Sequence, residues 1–232
     1  MYDLNKIFKL PHEPYTTGER PYGHNERVVE IPWALSSIQD AKKVLDVGFA
    51  YGEGRYLEPL CKMKIQELHG VDKGRKPRYP GWMDSMIKAS ADLREELPYD
   101  KDYFDVILCV STIEHVGLSN TMYFTDDHEK DDYGDKKALK NMLDILKPNG
   151  WLVLTVPYGK GEVQKQFKNY DRSMLDDLIK SQDCKVVRED LFYYQGSGWK
   201  KGDDVSCRNC NYGKFGFSSA SGLACLLITK GI

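Results

Sequence analysis

Two kinds of hydrophobic run alternate along this chain. The first kind is short and nearly continuous: "KKVLDV" (42–47), "IQELHGV" (65–71), "YFDVILCV" (103–110), "WLVLTVP" (151–157), "CKVVREDLFYY" (184–194) and "GLACLLIT" (222–229). A weaker run near 87–91 brings the count to seven. Mostly unbroken apolar runs of this length suit strands buried on both faces of a parallel sheet. The second kind repeats with helical spacing. "DKKALKNMLDIL" (135–146) places Ala138, Leu139, Met142, Leu143 and Leu146 on one face, and "KPNG" stops it. "DRSMLDDLIKSQ" (171–182) does the same with Met174, Leu175, Leu178 and Ile179. "EGRYLEPLCKM" (53–63) follows the first strand, and "RVVEIPWALSSI" (27–38) predicts a helix or helix pair ahead of the core.

Strands alternating with helices predict an α/β fold: a Rossmann-like, doubly wound, mostly parallel seven-stranded sheet. The expectation is a single domain over 1–232, with an N-terminal arm at 1–40 and a core at 41–232. Regions 1–26, 119–135 and 195–221 read as insertions, which in a compact domain tend to serve function. Ligands of such sheets bind beyond the carboxyl ends of the strands. The loop after the first strand, Asp72, the 111–135 loop and the loop after Pro157 are therefore expected on one edge.

Composition narrows the classes of function. The 232 residues are 41% hydrophobic, with 33 basic residues against 35 acidic ones and a net charge of −2. That balance offers no global field for nucleic acid or an anionic membrane, and no apolar run approaches the ~20 residues of a membrane span. The opening "MYDLNKIFKLPHEPY" has no continuous apolar stretch, so cytoplasmic location is the expectation. In that setting the six cysteines read as reduced, and Cys109 and Cys225, inside apolar runs, read as small buried hydrophobes.

The candidate chemistry centres on "VLDVGFAYGEG" (44–54). Its spacing is Gly48-x-x-x-Gly52-x-Gly54, whereas a dinucleotide loop needs G-x-G-x-x-G and a P-loop needs a Lys-Ser or Lys-Thr. Asp46 at the strand end also disfavours a bound phosphate. A carboxylate there suits a cationic or hydroxyl-bearing ligand.

This stretch resembles the first motif of class I S-adenosylmethionine-dependent methyltransferases, commonly V-L-D-x-G-x-G-x-G. Asp46, Gly48 and Gly52 match, and Ala50 stands where a glycine is usual. "HGVDKG" puts Asp72 18 residues after Gly54, similar to the acid that holds the ribose hydroxyls. "SADLREELPYDKDYFDVILCVSTIEHVG" resembles the family's D-x-x-x-L-P…F-D-x-I…E-H segment, and "LKPNGWLVLTVP" its L-K-P-G-G lead into the fifth strand. The likeness runs in order through 42–194. It implies an antiparallel last strand, 222–229 beside 184–194. It also implies S-adenosylmethionine as cofactor, with a donor site built from Asp46, Gly48, Ala50, Gly52, Asp72, Asp92, Leu93 and the backbone at Ser111. Asp72 can accept two hydrogen bonds from a diol, and glycines let the backbone approach the methionine moiety. The expected activity is methyl transfer to a small-molecule acceptor, a hydroxyl of a sugar or secondary metabolite. Two other readings stay open: a nucleotide-binding oxidoreductase with an aberrant glycine loop, and a non-catalytic binding protein that keeps the fold.

A hydroxyl acceptor needs a base. His115, Glu114 and His24 are the candidates, the last from the polar run "YGHNER" (22–27). The acidic stretch 123–135, with Asp126, Asp127, Glu129, Asp131, Asp132 and Asp135, lacks the offsets of an EF-hand. It reads as a solvated or substrate-contacting loop, His128 included, in which Asp135 caps the next helix. Cys207-x-x-Cys210 is a single pair, where structural zinc takes four ligands, so no metal is expected. Tyr15, Tyr22 and Trp33 in the arm could stack on a ligand or anchor the arm to the sheet.

Overall fold

A computed structural model describes residues 25–74, 81, 83–121, 130–196, 198–213 and 219–231. His24, Tyr15, Tyr22, Asp126, Asp127, His128 and Glu129 lie outside them.

The elements run α1 (Arg27–Ser36), β1 (Lys43–Val47), α2 (Gly54–Lys62), β2 (Glu67–Asp72), β3 (Ile87–Ser90), β4 (Phe104–Val110), α3 (Gly134–Ile145) and β5 (Leu146–Pro157). There follow β6 (Glu162–Val163), β7 (Lys168–Asn169), α4 (Arg172–Lys180), β8 (Cys184–Tyr194), β9 (Trp199–Gly202), α5 (Asp204–Cys207) and β10 (Gly222–Lys230). The main sheet has the order β3-β2-β1-β4-β5-β10-β8-β9. Strands β1 to β5 pair in parallel, and β10 runs antiparallel between β5 and β8, as the resemblance implied.

The sheet has eight strands rather than seven. The extra one, β9, pairs antiparallel with β8 from within the segment expected to be an insertion. Its sequence, "WKKG", hides it. Edge strands are short and carry lysines, which blunt the open edge and erase the apolar pattern that marks buried strands.

Alternation within each strand builds a core on each face of the sheet. Leu45, Val47, Ile107, Cys109, Leu152 and Leu154 pack under α3 and α4, with Ala138, Leu139, Met142, Leu175 and Leu178. Val44, Val106, Leu108, Val153 and Cys225 pack under α1 and α2, with Val29, Trp33, Leu57 and Leu60. Trp33 is an anchor: it is 1% exposed, and its indole N–H donates to Asp190 Oδ2 at 2.9 Å. No helix among the described residues is long and apolar enough to cross a membrane.

Two local expectations are corrected. Asp135 does not cap α3, which begins at Gly134 after Tyr133. It is buried, and its Oδ2 accepts from Lys168 Nζ at 2.7 Å and the Tyr170 hydroxyl at 2.8 Å, pinning the helix start to β7. Strand β5 starts at Leu146, ahead of the expected Trp151, because Leu146 already pairs with Phe104 before a register shift. Within that shift Asn149 adopts φ 63°, a left-handed conformation that asparagine tolerates where the family motif carries glycine.

Candidate active site

The carboxyl ends of β1, β2 and β4 open on a cleft of about 320 Å³. Its floor is the turn after β1. Gly48 has φ 83°, and its N–H donates to the Val71 carbonyl at 2.9 Å. A Cβ there would sit 2.5 Å from Thr112 Oγ1, so both conformation and space require glycine. Thr112 Oγ1 lies 3.1 Å from the Val47 carbonyl and 3.0 Å from that of Val110, tying the ends of β1 and β4 together. Ala50 is fully buried beneath the cleft and does not line it; its N–H reaches Asp72 Oδ2 at 3.2 Å. The loop thereby fixes the acid at the end of β2.

Asp46 shares its face of β1 with Val44, so its carboxylate tucks under α2. The Tyr56 hydroxyl donates to Oδ1 at 2.7 Å, while Oδ2 is buried with no hydrogen-bond partner among the described residues. Burial pushes this carboxyl up to about 7, against the pull of the Tyr56 hydrogen bond and with a smaller push from Asp72. At the next strand Asp92 is the opposite case. Burial alone would raise it, but Arg94, through its backbone and guanidinium, and Lys73 Nζ at 2.8 Å hold it well below the usual carboxylate range. Leu93 packs beside it and lines the same cleft.

Beyond β4 the wall is polar. Ser111 sits at φ 42°, and its hydroxyl donates to Glu30 Oε2 at 2.7 Å. The Thr155 hydroxyl donates to the same oxygen at 2.9 Å, and the Arg27 guanidinium pairs with Oε1. Burial opposes the charge on Arg27, yet Glu30, Glu26, Glu53 and Glu114 outweigh it and raise its affinity for the proton. Glu26 lines the cleft and accepts the Ala220 N–H at 3.1 Å. Burial pushes it up to about 7 although Arg27 opposes the rise. His115 also lines the cleft. Its Nδ1 is 2.6 Å from the Gln166 carbonyl, so in the neutral ring Nδ1 carries the proton and Nε2 the lone pair. Glu114 does not reach the cleft. It is 2% exposed behind His115, with Oε1 3.9 Å from His115 Nε2, and burial pushes it up to about 8.

Of the residues expected from the sequence, Asp46, Gly48, Gly52, Asp72, Asp92, Leu93, Ser111 and His115 share this cleft. Ala50 and Glu114 stand behind it, and His24 lies outside the described residues. Tyr56, Arg27, Glu26, Arg94 and Tyr212 also line it and were missed. The polar run 22–27 was the available signal for Glu26 and Arg27; it drew attention to His24 instead. Among the described residues, no three His, Cys, Asp or Glu side chains group as metal ligands. Cys207 and Cys210 are buried and in no disulfide, and burial, with Cys210 beside it, pushes Cys207 up to about 12.

The parallel sheet with its inserted antiparallel strand presents a glycine turn after β1 and an acid at the end of β2 on one edge. The family model of a methyltransferase domain matches residues 26–190. The chain therefore belongs to that family, the class I S-adenosylmethionine-dependent methyltransferases. No curated protein matches the sequence. Solved structures share the fold. One is a possible histamine N-methyltransferase from Thermotoga maritima, at 18% identity over 87% of this chain and 88% of that one, with a TM-score of 0.52. A second is the N-methyltransferase NodS from Bradyrhizobium japonicum in complex with S-adenosylhomocysteine, at 14% identity over 98% and 96%, with a TM-score of 0.57. A third is 1,6-didemethyltoxoflavin-N1-methyltransferase from Burkholderia thailandensis, at 13% identity over 88% and 77%, with a TM-score of 0.56.

Proposed function

We propose that this protein transfers a methyl group from S-adenosylmethionine to a small-molecule acceptor in the cleft above β1, β2 and β4. The observation that carries the reading is Asp46: a buried carboxylate with one unpartnered oxygen, beside a turn that only glycine can make. An unpaired buried polar atom is costly, and an ammonium group is the partner that satisfies it best. S-adenosylmethionine, when bound, supplies a methyl group on a sulfonium whose leaving group is a neutral thioether.

This chain's residues then have separable tasks. Asp46 Oδ2 receives the α-amino group. Asp72, oriented by the Ala50 N–H, accepts from the ribose hydroxyls. Asp92 and Leu93 wall the adenine end, with Asp92 kept ionised by Arg94 and Lys73. Rigid placement of this kind supplies much of the rate in a displacement whose leaving group is already good. His115, which lines the cleft, takes a proton from the acceptor in this reading. That base is what the hydroxyl acceptor expected from the sequence would require; an amine acceptor also needs a proton sink. The even charge balance favours a small acceptor over nucleic acid.

Calorimetry with S-adenosylhomocysteine against NAD tests the reading. Binding of S-adenosylhomocysteine, weakened at least about tenfold in Asp72→Ala, supports it. Tight NAD binding with no response to S-adenosylhomocysteine sinks it in favour of an oxidoreductase.

A further inference from the structure

We infer that the acceptor is an amine, bound as its ammonium and carried on an apolar or planar group, and that Glu26 is the residue that selects it. The inference rests on the reading of this cleft as a methyl-transfer site and adds the class of acceptor.

Three carboxylates, Glu26, Glu30 and Glu114, are each at most 4% exposed around one guanidinium, Arg27. Glu30 is fully engaged: Arg27, Ser111 and Thr155 satisfy its two oxygens. Glu114 is not, because its Oε2 is buried with no hydrogen-bond partner among the described residues. Among the described residues, Arg27 is the cation that these three buried acids share. Uncompensated buried carboxylates are expensive, and they are relieved by binding a proton or a cation. Burial pushes both Glu26 and Glu114 toward the first form of relief. A cationic ligand supplies the second.

The cluster also has a shape. Glu26 reaches the cleft, and the Ala220 N–H holds its carboxylate in place. Ala220 also pairs through an isolated antiparallel bridge with Tyr212, an aromatic residue that lines the same cleft as Glu26. The Tyr212 ring lies against Phe167 with centroids 4.2 Å apart, and Phe167 meets His115 edge-on at 6.5 Å. A cleft lined by a carboxylate and an aromatic side chain suits an ammonium on a flat or apolar carrier, the charge for ion pairing and the ring for packing or cation–π attraction. His115 completes the chemistry. Nε2 takes one proton from the ammonium, the electron pair of the broken N–H bond stays on nitrogen, and that pair becomes the nucleophile. The proton then leaves His115 for solvent.

A matched pair of probes tests this on the protein loaded with S-adenosylhomocysteine, which carries no sulfonium charge. Calorimetry compares 2-phenylethylamine with 2-phenylethanol at neutral pH. The amine is expected to bind at least about tenfold more tightly. In Glu26→Gln, which keeps an acceptor for the Ala220 N–H, that preference falls below about threefold while S-adenosylhomocysteine affinity is retained. Glu114→Gln, which changes no residue of the cleft lining but removes one of the three acids, weakens the preference in the same direction. Equal or better binding of the alcohol overturns the inference, and so does failure of the amine to bind the loaded protein. A preference that survives both substitutions overturns the role of Glu26. If S-adenosylhomocysteine itself does not bind, the methyl-transfer reading fails and this inference fails with it.

Discussion

Replacing Asp46 by asparagine should stabilise the ligand-free protein at alkaline pH and cost it the donor site. The wild-type carboxyl titrates near 3.8 when unfolded and near 7 when folded, because the folded chain buries it with one oxygen unpartnered. A carboxyl raised on folding costs nothing while both states are protonated. The cost grows as pH climbs through the unfolded value and levels off above the folded one. Every tenfold change in proton affinity is worth about 1.36 kcal/mol, so the cost is roughly 1.7 kcal/mol at pH 5 and about 4 kcal/mol at pH 8. Asparagine does not titrate. It keeps an acceptor for the Tyr56 hydroxyl but buries an unpaired amide N–H, a penalty of about 1–3 kcal/mol that is the same at both pH values. The difference between variant and wild type should therefore move by about 2–3 kcal/mol in favour of the variant between pH 5 and pH 8, whatever the amide penalty is. Urea denaturation at the two pH values, without ligand, measures it. A difference that is flat across pH would refute the claim that Asp46 is a strained, titrating carboxylate.

Other consequences follow from single contacts. Gly48→Ala forces a side chain into left-handed backbone at about 1–2 kcal/mol and into Thr112 besides, so thermal melts should show clear destabilisation and calorimetry should show lost S-adenosylhomocysteine binding. His115→Ala should lower kcat by about a hundredfold with donor affinity nearly unchanged; equal loss of both would make His115 a structural residue. Trp33→Phe removes a donor to buried Asp190 and should cost about 1.5 kcal/mol, the low end for a charged acceptor, since Arg188 and Lys201 stay with the carboxylate. A stability loss near zero in denaturant titration would mean that the indole anchors α1 by packing alone.

What the chain revealed before folding was whatever has a local pattern. The buried strands announced themselves as apolar runs, and the glycine turn and Asp72 lay at legible offsets from them. What stayed hidden depends on where elements meet. Tyr56 reads as one more residue of α2, and only the seating of that helix over β1 brings its hydroxyl to Asp46. Glu30 looks like a helix-surface acid, yet α1 lies on the sheet and buries it against Ser111 and Thr155. Asp135 has the residue type of a cap, but its pairing with Lys168 and Tyr170 spans more than thirty positions of sequence. The eighth strand was masked by its own edge chemistry. Asp92 was expected as a ligand contact, while its salt bridge to Arg94, two residues on, appears only once the turn after β3 is formed.

The central claim is that this cleft binds S-adenosylmethionine through Asp46 and Asp72. A crystal structure of the protein with S-adenosylhomocysteine tests it most directly. The ligand is expected in the cleft, its amino group on Asp46 Oδ2 and its ribose hydroxyls on Asp72. A ligand bound elsewhere, or in the cleft with Asp46 Oδ2 still unpartnered, would contradict the account.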